Sequence, residues 1–252
     1  MTVRKVDGPC QRVNQPARSH MVRFQGPTSR ARFVRRYKRF LADVRDEAGA
    51  LLTVHCANSG SMLGCDTPDS KVLISESPNR KRKLRYTWEL VRVGRSWVGI
   101  NTMMPNRVVE EAVCGGHVEE LRGFRTLRRE VPYGRNSRVD LRLEDPGVCY
   151  VEVKNVTLAR GKVAQFPDAV TVRGAKHLSE LREMVRCGHR AVMFFLVNRG
   201  DCTNMVPARD IDPHYADELG RALADGVEII AYRARVGVRG ISVAERIPFR
   251  LS

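Results

Sequence analysis

Residues 138–156 read RVDLRLEDPGVCYVEVKNV, and the reading of this stretch decides the fold of the larger half of the chain. Val139, Leu141 and Leu143 alternate with Arg138, Asp140 and Arg142, which predicts a strand over 138–143 with one buried face. Residues 148–156 predict a second strand, in which Val151 and Val153 share one face while Tyr150, Glu152 and Lys154 share the other. Glu144-Asp145-Pro146-Gly147 is the turn between them. Adjacent strands of one hairpin therefore bring Asp140 and Glu152 together, with the Lys154 amine emerging beside Glu152. Two carboxylates at one spot repel unless a divalent cation lies between them, and Mg²⁺ or Mn²⁺ prefers such oxygen ligands. A lysine two residues along can orient a water and neutralise charge on a scissile phosphate, which is the logic of metal-dependent phosphodiester hydrolysis. An E-x-K pattern on an exposed strand is also a common cross-face ion pair, so spacing alone leaves both readings open.

Around this hairpin the pattern is α/β. A helix is expected over 105–121, weakened at Gly115-Gly116, followed by strands at 124–131, 138–143 and 148–156. A helix at 174–187, an apolar strand at 191–197, a helix at 213–224 capped by Asp212 and a strand at 227–232 complete it. This order describes a mixed sheet flanked by helices, assigned to residues 102–252.

Residues 32–101 read differently. Short strands at 50–56, 71–75, 84–91 and 97–100, separated by Gly, Pro and Asn-Ser turns, predict a small β-barrel domain. Residues 33–44 fit a helical period, although a strand is preferred there. In 84–91, Leu84, Tyr86, Trp88 and Leu90 form the expected inner face, with Arg85, Thr87 and Glu89 outward. Trp88 is assigned to the core. Residues 1–31, poor in large apolar side chains, read as a basic flexible extension, with Met21 an alternative start.

Charge narrows the partner. The 252 residues carry 44 Lys and Arg against 28 Asp and Glu, and eleven of those cations against a single acid fall within residues 1–40. A second focus is Arg80, Lys81, Arg82, Lys83 and Arg85. Nucleic acid is the expected partner, DNA first and RNA from the same charge, bound through its phosphates and with a steep salt dependence. No basic stretch has the apolar stripe of an interfacial helix, no apolar run reaches the roughly 20 residues of a membrane span, and residues 1–25 lack a signal-peptide core, so the expected location is the cytoplasm. The seven cysteines include no C-x-x-C pair, and His55, Cys56 and Cys65 lack a fourth ligand at zinc spacing. No helix-turn-helix is evident, so binding is expected to be largely independent of sequence.

Glu130 to Gly134 (EVPYG), Asn136-Ser137-Arg138-Val139-Asp140, Tyr150-Val151-Glu152-Val153-Lys154, Phe166-Pro167-Asp168-Ala169, Arg173-Gly174 and His177-Leu178 resemble the sugar fermentation stimulation protein family. The resemblance extends to Arg39-Phe40, residues 55–60 (HCANSG), Asn101-Thr102, Pro105-Asn106 and Ile211-Asp212-Pro213, and covers residues 33–232. It implies an N-terminal OB-like β domain followed by a restriction-endonuclease-like, PD-(D/E)xK-type domain, in a family described as DNA-binding and linked to regulation of sugar metabolism. The motif residues fall on Asp140, Glu152 and Lys154. Val139 stands where the superfamily has its proline, Asn155 where a serine is usual, and Tyr37-Lys38 where Pro-Asn is usual.

That superfamily commonly carries a further acid on the helix before its sheet, here Glu110 or Glu111, of which Glu110 is preferred as the third metal ligand. Arg173 and His177, at the start of the helix after the E-x-K strand, are phosphate contacts, or His177 packs internally. Asp168 either reaches the site or makes an Asx turn. On the barrel, Arg35, Arg36 and Arg39, interleaved with Phe33, Tyr37 and Phe40, join Arg80, Lys81, Arg82 and Lys83 as nucleic-acid contacts, with Arg138 beside the acids. Two functions stand: a DNA-binding protein with a Mg²⁺- or Mn²⁺-dependent nuclease site, or a non-catalytic DNA- or RNA-binding regulator whose nuclease site is vestigial. Paired cuts in a duplex would require a homodimer, which the sequence leaves open.

Overall fold

The computed structural model describes residues 11–12, 20–134 and 137–251. Strand β1 (Gln11–Arg12) is followed by β2 (Thr28–Tyr37), β3 (Leu41–Asp46), β4 (Leu51–His55), β5 (Lys71–Glu76), β6 (Tyr86–Val93) and β7 (Ser96–Gly99). Strands β2 to β7 form one sheet in the order β4-β3-β2-β5-β6-β7, and a β4–β6 pairing at His55 and Thr87 closes it into a barrel. Phe33, Val44, Val54, Met62, Ile74 and Trp88 fill the interior. Trp88 is fully buried, stacks on Phe33 with ring centroids 4.8 Å apart and donates its indole N–H to Leu90 O. Residues 33–44 are neither a helix nor one strand: β2 ends at Tyr37, Lys38 and Arg39 turn with positive φ, and β3 begins at Leu41, while a register shift in β2 between Phe33 and Arg35 disturbs the two-residue alternation.

The second unit contains helix α1 (Pro105–Cys114), a 3-10 turn (Glu119–Leu121), and strands β8 (Thr126–Tyr133), β9 (Ser137–Glu144) and β10 (Val148–Val156). Next come β11 (Leu158–Arg160), β12 (Val163–Phe166), α2 (Val172–Arg186), β13 (Arg190–Val197) and β14 (Asn204–Pro207). Helix α3 (Pro213–Ala224), β15 (Glu228–Gly237) and β16 (Gly240–Arg246) complete the described chain. The main sheet runs β1-β8-β9-β10-β13-β15-β16, with β10, β13 and β15 parallel; β11, β12 and β14 make a small sheet beside it. Alternation along β13 builds both cores: Val192, Phe194 and Leu196 pack on the α1 side, whereas Met193, Phe195 and Val197 meet Leu178, Leu181, Tyr215 and Leu219 of α2 and α3. No helix among the described residues is long and apolar enough to cross a membrane.

Several expectations are corrected. The basic extension was expected to reach residue 31. Within it, β1 pairs antiparallel with β8, Val22 bridges to Ile241, Val22 and Phe24 are buried in the core of the second unit, and β2 begins at Thr28; residues 1–10 and 13–19 lie outside the described residues. Thr87 and Glu89 are buried, not outward, because the barrel meets the second unit there and Glu89 accepts hydrogen bonds from Ser75 (2.6 Å) and Asn101 (2.7 Å). Val139 packs with the α2 side while Leu141 and Leu143 pack with the α1 side, so β9 turns over at Asp140.

The two units share a seam. Leu73 and Leu90 of the barrel enter the α1-side core, Gly99 N–H donates to Asn198 O at 2.8 Å, and Asn155 donates to Gly99 O at 3.3 Å. A Cβ on Gly99 would lie 2.4 Å from the Asn198 side chain, which explains glycine at this crossing. Asp168 supplies a second clasp: its Oδ2 accepts Met62 N–H at 2.9 Å and its carbonyl accepts the Ser61 hydroxyl.

Candidate active site at the seam

The β9–β10 ladder stops at Leu141–Val151, one step before Asp140 would face Glu152. There the Asp140 carboxylate replaces the ladder: Oδ2 accepts Val153 N–H at 2.7 Å, and Oδ1 accepts from Asn106 Nδ2, in the first turn of α1, at 2.6 Å. Both carboxylates, Lys154 and His177 border a cleft of about 410 Å³ that also takes in Asn58, Ser59 and Gly60 of the barrel.

The electrostatics separate the two acids. Burial first, then the neighbouring Glu152 charge, push the Asp140 carboxyl up to about 7, although the Val153 N–H, Lys154 and Asn106 oppose the shift. Burial also pushes Glu152 upward, but Lys154 and His177 outweigh it and hold Glu152 below its ordinary value. Lys154 Nζ donates to Glu152 Oε1 at 2.7 Å. Arg173 Nε–H donates to His177 Nε2 at 3.3 Å, and His177 Nδ1 lies against both Glu152 Oε1 and the Lys154 ammonium, the latter at 3.1 Å. Glu152 Oε2 is buried and has no hydrogen-bond partner among the described residues.

The platform for these groups is the start of α2. Thr171 caps it by accepting Gly174 N–H at 3.0 Å, while Asp212 accepts both Thr171 N–H (2.8 Å) and Tyr215 N–H (2.9 Å), tying the starts of α2 and α3 together. A Cβ on Gly174 would come within 3.0 Å of Thr171 and Tyr215, so the helix start can sit this close to α3 only with glycine.

Asp140, Glu152, Lys154, Arg173 and His177 therefore converge. Glu110 does not. It sits one turn beyond Asn106 on α1, is paired with Arg129 at 3.3 Å and is absent from the cleft; burial lifts its pKa despite Arg129. The side chain that α1 sends to the acids is Asn106, an uncharged residue that a search for carboxylates passes over. His177 is buried rather than open to a phosphate; it positions Glu152 instead. Among the described residues no three His, Cys, Asp or Glu side chains come together as a group that could hold a metal ion.

The expected cationic contacts divide. Arg138 and Arg173 are exposed beside Asp140, where Arg129 and Lys176 join them around a groove of about 650 Å³ continuous with the cleft. Arg39, Arg80, Lys81 and Lys83 are exposed on barrel loops. Arg36 is not a free contact: its guanidinium donates to Asn58 O (2.7 Å), Gly60 O (2.9 Å) and Arg39 O (3.0 Å), shaping the loop that forms one wall of the cleft. Arg35 pairs with Asp43 at 2.8 Å, and Arg82 donates to Thr87 Oγ1 at 2.8 Å. Cys56 Sγ contacts Met62 Sδ and Cys65 is buried with its thiol pushed up to about 12, the setting of apolar core cysteines. Asn136, part of the motif run before Asp140, lies outside the described residues.

Two family models match the chain. The sugar fermentation stimulation protein RE domain covers residues 103–240, and the SfsA N-terminal OB domain covers residues 34–100. The sugar fermentation stimulation protein homolog of Pelobacter propionicus is 58% identical over 216 residues, 85% of this chain and 94% of its own. That of Geotalea uraniireducens is 54% identical over 226 residues, 89% of this chain and 98% of its own. Among solved structures, "The structure of Pyrococcus Furiosus SfsA in complex with Ca2+" superposes with a TM-score of 0.84 at 27% identity, covering 91% of this chain and 98% of that one. With both halves matched in order and the acid-lysine hairpin in place, the chain belongs to the sugar fermentation stimulation protein (SfsA) family.

Proposed function

We propose that the chain binds nucleic acid along the seam and hydrolyses a phosphodiester there with a divalent cation, Mg²⁺ or Mn²⁺, held by Asp140 and Glu152. The observation that carries this reading is the placement of the buried Glu152 carboxylate, the half-buried Asp140 carboxylate and Lys154 in one cleft rimmed by Arg138 and Arg173. The donor set fits such a cation. Glu152 Oε2 is buried without a partner, and the Glu152 charge helps to raise the proton affinity of Asp140 until a cation relieves it. The Pyrococcus furiosus relative, described in complex with Ca²⁺, lends the same support.

When bound, the cation supplies Lewis-acid polarisation of the phosphate and a more acidic water. The chain's own residues do the rest. Asn106 and the Val153 N–H hold Asp140 in one orientation, His177 and Lys154 hold Glu152 in one orientation, and the Lys154 ammonium places positive charge beside the position of a scissile phosphate. Arg138 and Arg173 hold flanking phosphates without reading bases, so recognition is largely sequence-independent. In the cytoplasm, DNA is the substrate this reading puts first.

The second reading, a binding regulator without turnover, is favoured by one contact: His177 and Lys154 already occupy Glu152 Oε1. Incubation of end-labelled single- and double-stranded DNA and RNA with Mn²⁺ or Mg²⁺ separates the two. Metal-dependent products that vanish in Lys154→Ala, with binding retained, establish the nuclease. Binding without cleavage establishes the regulator.

A further inference from the structure

The barrel carries a row of like charges at the end of its sheet away from the cleft. Strand register puts Arg45 of β3 opposite Arg32 of β2, and Arg32 opposite Lys71 of β5. The Leu73–Leu90 and Val72–Val91 pairs carry Lys71 on toward Arg92 of β6, and Arg92 pairs with Trp97 of β7. Five adjacent strands thus contribute one residue each to a transverse line, and four strand spacings of ~4.8 Å make it about 19 Å long. Arg30, two residues before Arg32, joins it on the same face of β2. These side chains border an open groove of about 970 Å³, larger than the cleft at the acids.

Cations directly opposite one another on neighbouring strands destabilise a sheet. Elsewhere this barrel pairs its arginines with acids, as in Arg35–Asp43 and Arg85–Glu76. Along the row no ion pair to a carboxylate forms among the described residues; Arg32 donates to Asp69 O at 3.0 Å and Arg45 to Gly49 O at 2.9 Å, both backbone carbonyls. Two acids, Asp46 and Glu47, also border the groove, and Asp46 is committed to the β3–β4 turn, accepting Ala48 and Ala50 N–H. At the far end the Arg92 guanidinium lies 5.4 Å over the half-buried Trp97 ring. A line of uncompensated cations leading to an arginine-capped indole pairs phosphate recognition with a stacking platform for an unpaired base.

We propose that this row is a second binding site, which takes the backbone of a single-stranded nucleic acid with a base against Trp97 and Arg92. It deepens the nucleic-acid reading and rests on it. The row is separate from the cleft: the β3–β4 hairpin pairs Arg45 with Leu51 at this end and Leu41 with His55 at the end leading to residues 58–60, four residues or about 13 Å along the strand. One strand therefore engages the row and the cleft with different segments. A duplex is disfavoured because its base faces are closed to the indole.

The test is binding of single-stranded oligothymidylate of about twenty nucleotides, in chelator so that nothing is cut, to wild type, Arg32→Gln/Lys71→Gln, Trp97→Phe and Arg173→Gln. Two lost phosphate contacts should lower the slope of log affinity against log salt by about 1.4 and weaken binding about 25-fold at 0.1 M salt. Trp97→Phe should abolish the fluorescence quench on binding, since Trp88 is fully buried. Relief of like-charge repulsion should leave the thermal midpoint of Arg32→Gln/Lys71→Gln unchanged or raised at low salt; a fall would make these cations structural and overturn the site. Unchanged affinity and slope in that variant, with Arg173→Gln still weakened, overturns the row and leaves the cleft reading standing. Wild type that binds no strand overturns both. Equal affinity for a duplex of the same length overturns the single-strand assignment.

Discussion

Replacement of Asp140 by Asn should stabilise the metal-free protein, by an amount set by pH. In the fold this carboxyl is pushed from 3.8 up to about 7 by burial and by Glu152. A group whose pKa is raised on folding binds its proton more tightly in the folded state. Ionised Asp140 therefore becomes an increasing liability as pH rises from about 4 to about 7, and the penalty is constant above that. At 1.36 kcal/mol per unit the ceiling is about 4 kcal/mol. Asn keeps one acceptor but leaves one of the two donors, Val153 N–H or Asn106 Nδ2, less well matched, which costs about 1 kcal/mol, and partial solvent access lowers the ceiling further. The expected net gain is about 2 kcal/mol at pH 8, absent at pH 4. Urea unfolding of both proteins in chelator at pH 4, 5.5, 7 and 8.5 measures it, and saturating Ca²⁺ should close the gap by stabilising only the wild type. A difference that does not vary with pH, or an Asn variant less stable than wild type at pH 8.5, would refute the account of two acids held together against their repulsion.

Other outcomes follow from the same geometry. Arg36→Ala should destabilise the protein by about 1–3 kcal/mol by freeing the carbonyls of the 58–61 loop, while leaving the salt slope of nucleic-acid binding unchanged; Arg173→Ala should do the reverse, with a slope lower by about 0.7–0.9. Gly99→Ala should cost about 1–3 kcal/mol in a thermal melt because its Cβ meets Asn198, and a second change, Asn198→Gly, should recover part of that loss. Trp88→Ala should cost about 3–5 kcal/mol in urea unfolding. Among the described cysteines, Cys187 should react first with a thiol reagent, since Cys65 and Cys149 are buried with thiols pushed up to about 12.

The hairpin at 138–156 was legible because its alternation, its turn and its three chemical side chains all lie within one short stretch. The helices were legible for the same local reason: Asp212 before Pro213 is a start signal that the structure uses, Asp212 accepting Tyr215 N–H. What escaped was set by distant partners. Glu89 has the spacing of an outward residue and is buried because Ser75 and Asn101 satisfy it. Val22 and Phe24 sit in polar surroundings along the chain, and only the arrival of Ile241 shows that they belong to a core. Strands β11, β12 and β14 are three to four residues long, too short for a period to register. Asn106 reaches Asp140 while Glu110 pairs with Arg129 because one helical turn separates the two, a distance that residue type cannot resolve. The cation row required strand register, since its members lie at residues 32, 45, 71 and 92, far apart in the sequence.

The most direct test of the central claim is calorimetric titration of Ca²⁺ and Mn²⁺ into the wild type, Asp140→Asn and Glu152→Gln at pH 7.5. The account predicts one site per chain, binding coupled to proton release as Asp140 ionises, and loss of that site in both variants while Glu110→Gln keeps it. Absence of binding in the wild type, or a site that survives both substitutions, would contradict it.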